Sequence, residues 1–499
     1  MNNDSYFLGV DFGTQGVRVG IVDMKGHIMS SASINYNTYF PKKGEATQKP
    51  NDWWKCFKST MKQALNELSI SQRRKIKSIT VDATSATVLC VSEKGEPLSD
   101  AIMWMDNRSE DIAKRINEMN HPILEHCGGS VYHEWFLPKA LWFKENEPEV
   151  YSKAFKIVDQ LDFINYHLCS RWVASKVNAV CKSNYVDGIG FDHNFMESIG
   201  LRDYKEKLIT NIIEMGMLIG YLNTDIASEF EIDTIPVIQG GIDGQISTLG
   251  MGVIFPGRMS AILGTSFAQM IFTDNSNSKF KGIWGPYKNA MINNLSLLET
   301  GQSTGGSIVK WYQEIFDMKE KDFHENINRI IEKIPIGSNG IKYLDYFQGN
   351  RTPYMDSKAS GVIYGLRLNH TKTDLYKALL ESVAFGFKNI IINYENQGIV
   401  VEEIVCTGGV TFDRIWMQML SDVTGKKLVI NTNRKYGSIL GCAILGAVAT
   451  EKYTSLNEAV TQMVHEEESI LPNMQHFNDY QELFNEYVKL YQKVEMMYN

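Results

Sequence analysis

The sequence predicts an α/β protein of two lobes, joined near residue 248, with a ligand cleft between them. Three observations carry that prediction. Each half of the chain opens on the same kind of unit, an apolar strand running into a Gly-rich turn with an acid: FLGVDFGTQG over 7–16 and IPVIQGGIDGQIS over 235–247. Each unit is followed by strand text of period two around another turn, as in MSAILGTSFAQMIF over 259–272. The intervals between carry the 3.6-residue period of helices. A length of 499 residues, divided by about 150, allows roughly three domains and suits two large lobes equally well.

Taken in order, the first strand ends on Asp11, and strands at 17–22 and 28–29 follow around a Lys25-Gly26 turn, which reads as an antiparallel meander. Trp53, Trp54, Phe57, Met61, Ala64, Leu65 and Leu68 give 51–68 one apolar helical face. Residues 79–98 then repeat the pattern of 8–28, with Val-Asp at a strand end, a small-residue turn, an alternating strand and a Lys-Gly turn. The repeat points to one sheet with two similar polar positions at strand ends. Residues 110–230 are mostly helical in period. Later, 399–410 reads as a strand entering a Gly-Gly turn, 412–425 as a helix, and 426–448 as strand, loop and buried helix. Gly441 and Gly446 permit close packing of that helix. Phe477, Tyr480, Phe484, Tyr487, Leu490 and Tyr491 share one side of an amphipathic tail over 474–499. The expected division is 1–248 and 249–499, and clefts between lobes are where small ligands bind.

Composition removes several classes of function. With 43% hydrophobic and 22% charged residues the chain is globular rather than disordered, and 12 prolines cannot build a Pro-rich tract. A net charge of −8 argues against a nucleic-acid or anionic-membrane partner but leaves room for a small phosphate ligand. Seven cysteines without a C-x-x-C pair suit reduced thiols in a cytosol better than disulfides or a zinc site. The start, MNNDSYFLGV, lacks a basic segment and an apolar run of signal-peptide length. The longest small-apolar run, 438–450, is shorter than the ~20 residues a bilayer needs. The expectation is a cytoplasmic protein. His121, His126 and His133 have no metal-ligand spacing, and His465-Glu466-Glu467-Glu468 reads as a solvated helix edge.

Four Gly-rich turns could carry chemistry. In Asp11-Phe12-Gly13-Thr14-Gln15-Gly16, glycines at 13 and 16 let backbone N–H groups approach a phosphate, Thr14 adds a hydroxyl, and Asp11 could hold Mg²⁺ through water. In Gly240-Gly241-Ile242-Asp243-Gly244-Gln245, the exposed acid could take the proton of a hydroxyl attacking phosphorus. Leu263-Gly264-Thr265-Ser266 could clasp phosphate oxygens, and Gly408-Gly409 could lie flat against an adenine or its sugar. Each alone also reads as a turn. Four of them split between two lobes favour a nucleotide cleft. The G-x-x-x-x-G-K-S/T loop and a helix-opening G-x-G-x-x-G are both absent, against P-loop and dinucleotide sites.

These units, in this order, resemble the FGGY carbohydrate kinases of the actin-like ATPase superfamily, over nearly the whole chain. SGVIYGLRLNHTKTDLYKALLE at 360–381 is similar to that family's C-terminal signature, through Gly361, Gly365, Asp374, Ala378 and Glu381. EWFLPKALWFKENEPEVY at 134–151 is similar to the other signature, centred on Pro138-Lys139 and Trp142. The resemblance implies a two-lobe, ribonuclease H-like fold, with a sugar site and phosphate loop in the first lobe and nucleotide binding in the second. It implies transfer of a phosphoryl group from ATP, with Mg²⁺, to a sugar or polyol. Asp243 matches the catalytic base and Asp11 the metal position. Gly13, Thr14, Gln15, Gly264, Thr265, Gly306, Gly408, Gly409 and Asp413 match nucleotide and phosphate contacts.

For the acceptor, Leu298-Glu299-Thr300-Gly301-Gln302-Ser303 resembles the E-G-G-Q-S segment of ribulokinases, with Thr300 where a Gly is usual. Cys181-Lys182 resembles their sugar-binding lysine, and DATSAT over 82–87, containing Ser85, their sugar-end loop. WGPY at 284–287 and FQGNRTP at 347–353 point the same way, while Trp104-Met105-Asp106-Asn107-Arg108 has Asn107 where a His is common. Ser85, Asp106, Lys182, Asp243, Gln245 and Glu299 are therefore the expected sugar contacts. A ribulose-type pentulose is the expected substrate, with xylulose, erythritol, ribitol and gluconate left open. A non-catalytic sugar- or nucleotide-binding regulator and an actin-like assembly ATPase are the readings from other classes. GQSTG at 301–305 also matches a hydrolase nucleophile elbow around Ser303, on residues the kinase segment already uses. Family members are often dimers or tetramers, so the resemblance admits a homodimer.

Overall fold

The computed structural model describes residues 5–275, 279–317, 327 and 330–498. Two mixed sheets organise it. The first has six strands in the order Leu218–Tyr221, Pro236–Ile238, Ile76–Ala83, Tyr6–Phe12, Gly16–Asp23, Ile28–Asn35. The second has seven, in the order Trp284–Lys288, Ser296–Gln302, Phe267–Thr273, Gly257–Leu263, Val401–Thr407, Lys427–Asn431, Glu466–Ile470. Both are built alike. The opening strand of each half pairs antiparallel with a hairpin partner on one side and parallel with a crossover strand on the other. A parallel pairing needs a long connection, which the helical stretches supply.

The repeat at 79–98 is realised in the first sheet, where Asp11 and Asp82 are register partners on adjacent parallel strands. It stops there. Val88–Val91 leaves for a separate four-stranded sheet with Thr47–Gln48, Ala101–Ile102 and Lys156–Asp159. The acidic stretch at 466–468 differs from the helix edge expected of it. It belongs to an edge strand, and Arg258, Arg434 and Arg414 pair with Glu466, Glu467 and Glu468. Charges along an outer strand discourage pairing with another chain.

The first sheet draws its strands from residues 6–238 and the second from 257–470, and two helices pack across from one to the other. Asp243–Gly250, from the first half, packs beside Met270 and Phe272 of the second sheet, while Gly437–Ala449, from the second half, lies on the first sheet. The two helices cross backbone to backbone. A Cβ on Gly250 would stand 1.9 Å from the Gly437 carbonyl oxygen, and one on Gly441 would stand 2.1 Å from that of Ile246. Gly446 likewise abuts the Ser78 hydroxyl of the first sheet. One apolar cluster therefore runs from Phe7 and Val22 through Ile246 and Ile439 to Val405 and Val429, and joins the halves. The seven cysteines are free thiols, six of them buried. No helix among the described residues is long and apolar enough to cross a membrane.

Candidate active site

Between the sheets lies a cleft of two joined chambers, about 680 and 1140 Å³, which share Asp11, Gly13, Thr14, Asp243, Trp284 and Arg351 in their walls. Asp243 is the first residue of its helix, entered from an extended Ile242. This aims the carboxylate into the cleft, and the Gly244 N–H donates to its Oδ1 at 2.7 Å. Burial pushes the Asp243 carboxyl up to about 7; the Asp11 charge and then that of Glu299 add to the rise, and the Gly244 amide opposes it. Beside it, Asp82 is fully buried and held well above the carboxylate range by burial and by the charges of Asp11 and Asp243. The Cys442 thiol donates to Asp82 Oδ2 at 3.1 Å. Asp11 pairs with Arg18 Nη1 at 3.3 Å. An acid near 7 can serve as a proton acceptor only above that pH. If Asp243 is the base, kcat/KM should fall about tenfold per pH unit below an apparent value near 7, measured as initial rates from pH 5.5 to 8.5.

One end of the smaller chamber is a cage of paired charges and indoles. Lys182, at the end of the Lys176–Lys182 helix, donates to Glu299 Oε2 at 3.0 Å and Oε1 at 3.2 Å. Gln245 Nε2 donates to the same Oε2 at 3.4 Å. The ammonium sits 5.2 Å from the Trp284 ring centre and 5.8 Å from that of Trp135, a favourable cation–π placement. A second pair crosses the cleft in the opposite sense: Arg351, from the second half, reaches Glu134 of the first at 2.9 Å. Ser85 joins this wall.

The other part of the cleft is lined by turns. Gly13 N–H closes on the Gly16 carbonyl at 3.0 Å, and the Trp104 indole N–H donates to the Thr14 hydroxyl at 3.1 Å. Gln15, Gly264 and Thr265 border the larger chamber, Gly408 and Gly409 the smaller. Gly408 has φ +97°, and a Cβ there would meet the Leu263 carbonyl oxygen at 2.5 Å, so no side chain fits. Gly16 is required for a different reason from the one expected: a Cβ would strike the Ile34 carbonyl oxygen at 2.5 Å, on the neighbouring strand.

Three expected contacts lie off the cleft wall. Asp106 is fully buried and its carboxylate is consumed locally, accepting from the Ala46 N–H, from the Arg108 N–H and from Arg108 Nε and Nη2 at 2.8 Å. It shapes the loop behind Trp104. Gly306 opens the Gly306–Ile315 helix and donates its N–H to the Gly264 carbonyl at 2.8 Å, so it braces the hairpin turn. Asp413 caps the Arg414–Thr424 helix through the Trp416 N–H at 3.1 Å. Conversely, Glu134, Arg351, Trp104 and Trp284 line the cleft and were not singled out from sequence. Each lies in a segment noted above, but no period or spacing shows which of its residues faces inward.

A duplicated strand-and-turn unit, with glycine turns and an acid on the intervening cleft, gives the two-lobe fold of the actin-like ATPases. Comparison with known proteins narrows the class. Residues 6–250 match the N-terminal domain and 259–450 the C-terminal domain of the FGGY family of carbohydrate kinases. An FGGY carbohydrate kinase domain-containing protein from Xenopus laevis is 29% identical over 535 residues, covering 97% of this chain and 96% of its own. A ribulokinase from Anoxybacillus flavithermus is 26% identical over 533 residues, covering 97% and 94%. The crystal structure of a ligand-bound xylulose kinase from Lactobacillus acidophilus superposes with a TM-score of 0.89 at 22% identity, covering 99% of each chain. The chain belongs to the FGGY family of carbohydrate kinases, enzymes that use ATP as a substrate.

Proposed function

We propose that this enzyme phosphorylates a terminal hydroxyl of an open-chain pentulose of the ribulose type. The observation that carries the reading is the Lys182–Glu299–Gln245 set, held in the same chamber as Asp243. Hydroxyl groups both donate and accept, so a cation, a carboxylate and an amide in contact can share them without leaving a charge unpaired. In the step, the sugar oxygen forms a bond to the γ-phosphorus as the bond to the β,γ-bridging oxygen breaks. The proton passes to Asp243 and ADP leaves. The turns at 13–15, 264–265 and 408–409 would hold the nucleotide, leaving positioning and exclusion of water as the main work.

The residues fit Mg²⁺. Burial, with the charges of neighbouring carboxylates, raises the Asp82 and Asp243 carboxyls, yet no group of three or more His, Cys, Asp or Glu forms a metal cage among the described residues. A hydrated ion held by one or two carboxylates and by phosphate oxygens suits such a set, and Asp11 is the residue assigned to it. Bound there, Mg²⁺ would neutralise charge on the triphosphate. Seven free thiols support a cytosolic setting.

The test is ADP release over D-ribulose, L-ribulose, D-xylulose, erythritol, ribitol and gluconate. A ribulose should give the highest kcat/KM. A higher value for another acceptor overturns the substrate, and sugar binding without ADP release overturns the catalytic reading. Lys182→Met should raise the sugar KM about 50-fold, because loss of one partner from an enclosed pair costs about 2–3 kcal/mol, while the ATP KM stays within about twofold. An unchanged sugar KM would remove Lys182 from the acceptor site.

A further inference from the structure

Ser85, Glu134 and Lys182 reach the cleft from three separate stretches of chain, and beneath them lie two buried charges that the transfer step does not use. Lys139, in the Phe136–Asn146 helix, is 0% exposed. Its ammonium donates to the Ala86 carbonyl at 2.7 Å and to the Glu134 carbonyl at 3.1 Å. Asp159, 3% exposed, begins the Gln160–Cys169 helix. Its Oδ2 accepts from the Ala86 N–H at 3.2 Å and from Asn178 Nδ2 at 3.0 Å. Asn178 lies one helical turn before Lys182. Ala86, next to Ser85, has φ +47°, a left-handed conformation that a non-glycine residue holds only where its surroundings impose it.

Both backbone polar groups of one strained residue are thus gripped by buried ions. The same two ions reach on to the Glu134 backbone and to the Lys182 helix. A lysine kept only for packing would be replaced at little loss by an apolar residue of its size. What an apolar residue cannot supply is a donor joining two carbonyls of distant segments. We infer that Lys139 and Asp159 are positioning residues of the acceptor end of the cleft, setting the spacing of Ser85, Glu134 and Lys182. The inference rests on the reading of that end as the sugar site. Burial draws the Lys139 ammonium down to about 7 and pushes the Asp159 carboxyl upward, against the neighbouring carboxylates of the one and the hydrogen bonds and Lys139 charge on the other, in keeping with charges placed at a cost in hydration.

The test compares Lys139→Met with the unchanged enzyme by steady-state kinetics and by amide hydrogen exchange. The sugar KM should rise about 30-fold with the ATP KM within about twofold, as expected for misplacement by a fraction of an ångström to an ångström. Exchange at residues 84–87 and 134–136 should quicken at least tenfold on the order expected for lost local protection. Should Lys139→Met fail to fold, Asp159→Asn keeps the helix cap and should show the same selectivity, with about a fivefold rise in sugar KM. A fall in thermal midpoint with exchange at 84–87 and the sugar-to-ATP KM ratio both unchanged would overturn the inference. If the unchanged enzyme turned over no sugar, the proposed function would fail, while the exchange at 84–87 would still decide the positioning role.

Discussion

Asp243→Asn should lower kcat by about 10³- to 10⁴-fold, leave the KM values for ATP and sugar within a few-fold, and not reduce the thermal midpoint at pH 8. The first two expectations follow from position. Asn keeps the shape and the acceptor oxygen for the Gly244 N–H, but it cannot take a proton from the attacking hydroxyl. The third follows from linkage. The folded-state carboxyl titrates near 7, above its ordinary 3.8, so the folded protein binds the proton more tightly than the unfolded chain. Stability from this group is fully present below the unfolded value and is lost as pH rises through about 7. Above that, the ionised Asp243 opposes Asp11 and Glu299, and Asn removes the opposition. The thermal midpoint of the variant relative to the parent should therefore rise between pH 4 and 7 and then level off. A variant with near-normal turnover, or one crippled only because it unfolds more readily at pH 8, would strip Asp243 of its role.

The parts of this site that were legible in the sequence are those written in contiguous residues. Strand, turn and acid stand side by side in FLGVDFGTQG and in IPVIQGGIDG, so both turns and both acids could be read directly. The echo of 8–28 in 79–98 points to two similar polar strand ends in one sheet, and the structure adds that Asp11 and Asp82 are register partners on adjacent strands. It could not show that the following strand, Val88–Val91, would leave that sheet, because period two is the same in any sheet. The local closure of Asp106 was hidden for a related reason. An acid two residues before Arg108 can bind that arginine's own N–H and guanidinium, and sequence cannot tell this local closure from a carboxylate awaiting a ligand. Gly306 and Asp413 stand at helix starts, where a brace or cap uses the same residue types as a phosphate site. Glu134 and Arg351 meet only because two lobes close on each other, and nothing in either segment specifies the other. The exchange of helices across the two sheets was hidden likewise. SILGCAILGAV declares a buried helix with small residues, but not the sheet on which it lies.

That exchange makes Gly250→Ala the severest test of the architecture. In an ordinary helix the change should help, since Ala is favoured over Gly by about 1 kcal/mol. Here the added Cβ would stand 1.9 Å from the Gly437 carbonyl oxygen and 2.8 Å from the Gly441 nitrogen, both backbone atoms of the opposing helix. Neither can swing aside as a side chain would, so the helices must separate by an ångström or more, on the scale of overpacked cores that cost about 3 kcal/mol. The collision outweighs the propensity. The displacement would also reach the chemistry. One helix begins at Asp243, and the other begins at Gly437, directly after Arg434, Lys435 and Tyr436 on the wall of the smaller chamber. Pushing the helices apart moves the acid relative to the nucleotide side, and an ångström of misplacement can lower a transfer rate about 100-fold. Gly250→Ala should therefore reduce both the thermal midpoint and kcat/KM, the latter by at least about tenfold. Gly398→Ala is the contrast at a surface turn: φ there is +81° but nothing lies within 4 Å of the added Cβ, so it should cost stability without loss of kcat/KM. If Gly250→Ala kept both its thermal midpoint and its kcat/KM, the two helices would not be the backbone-to-backbone crossing that ties the sheets to the active acid.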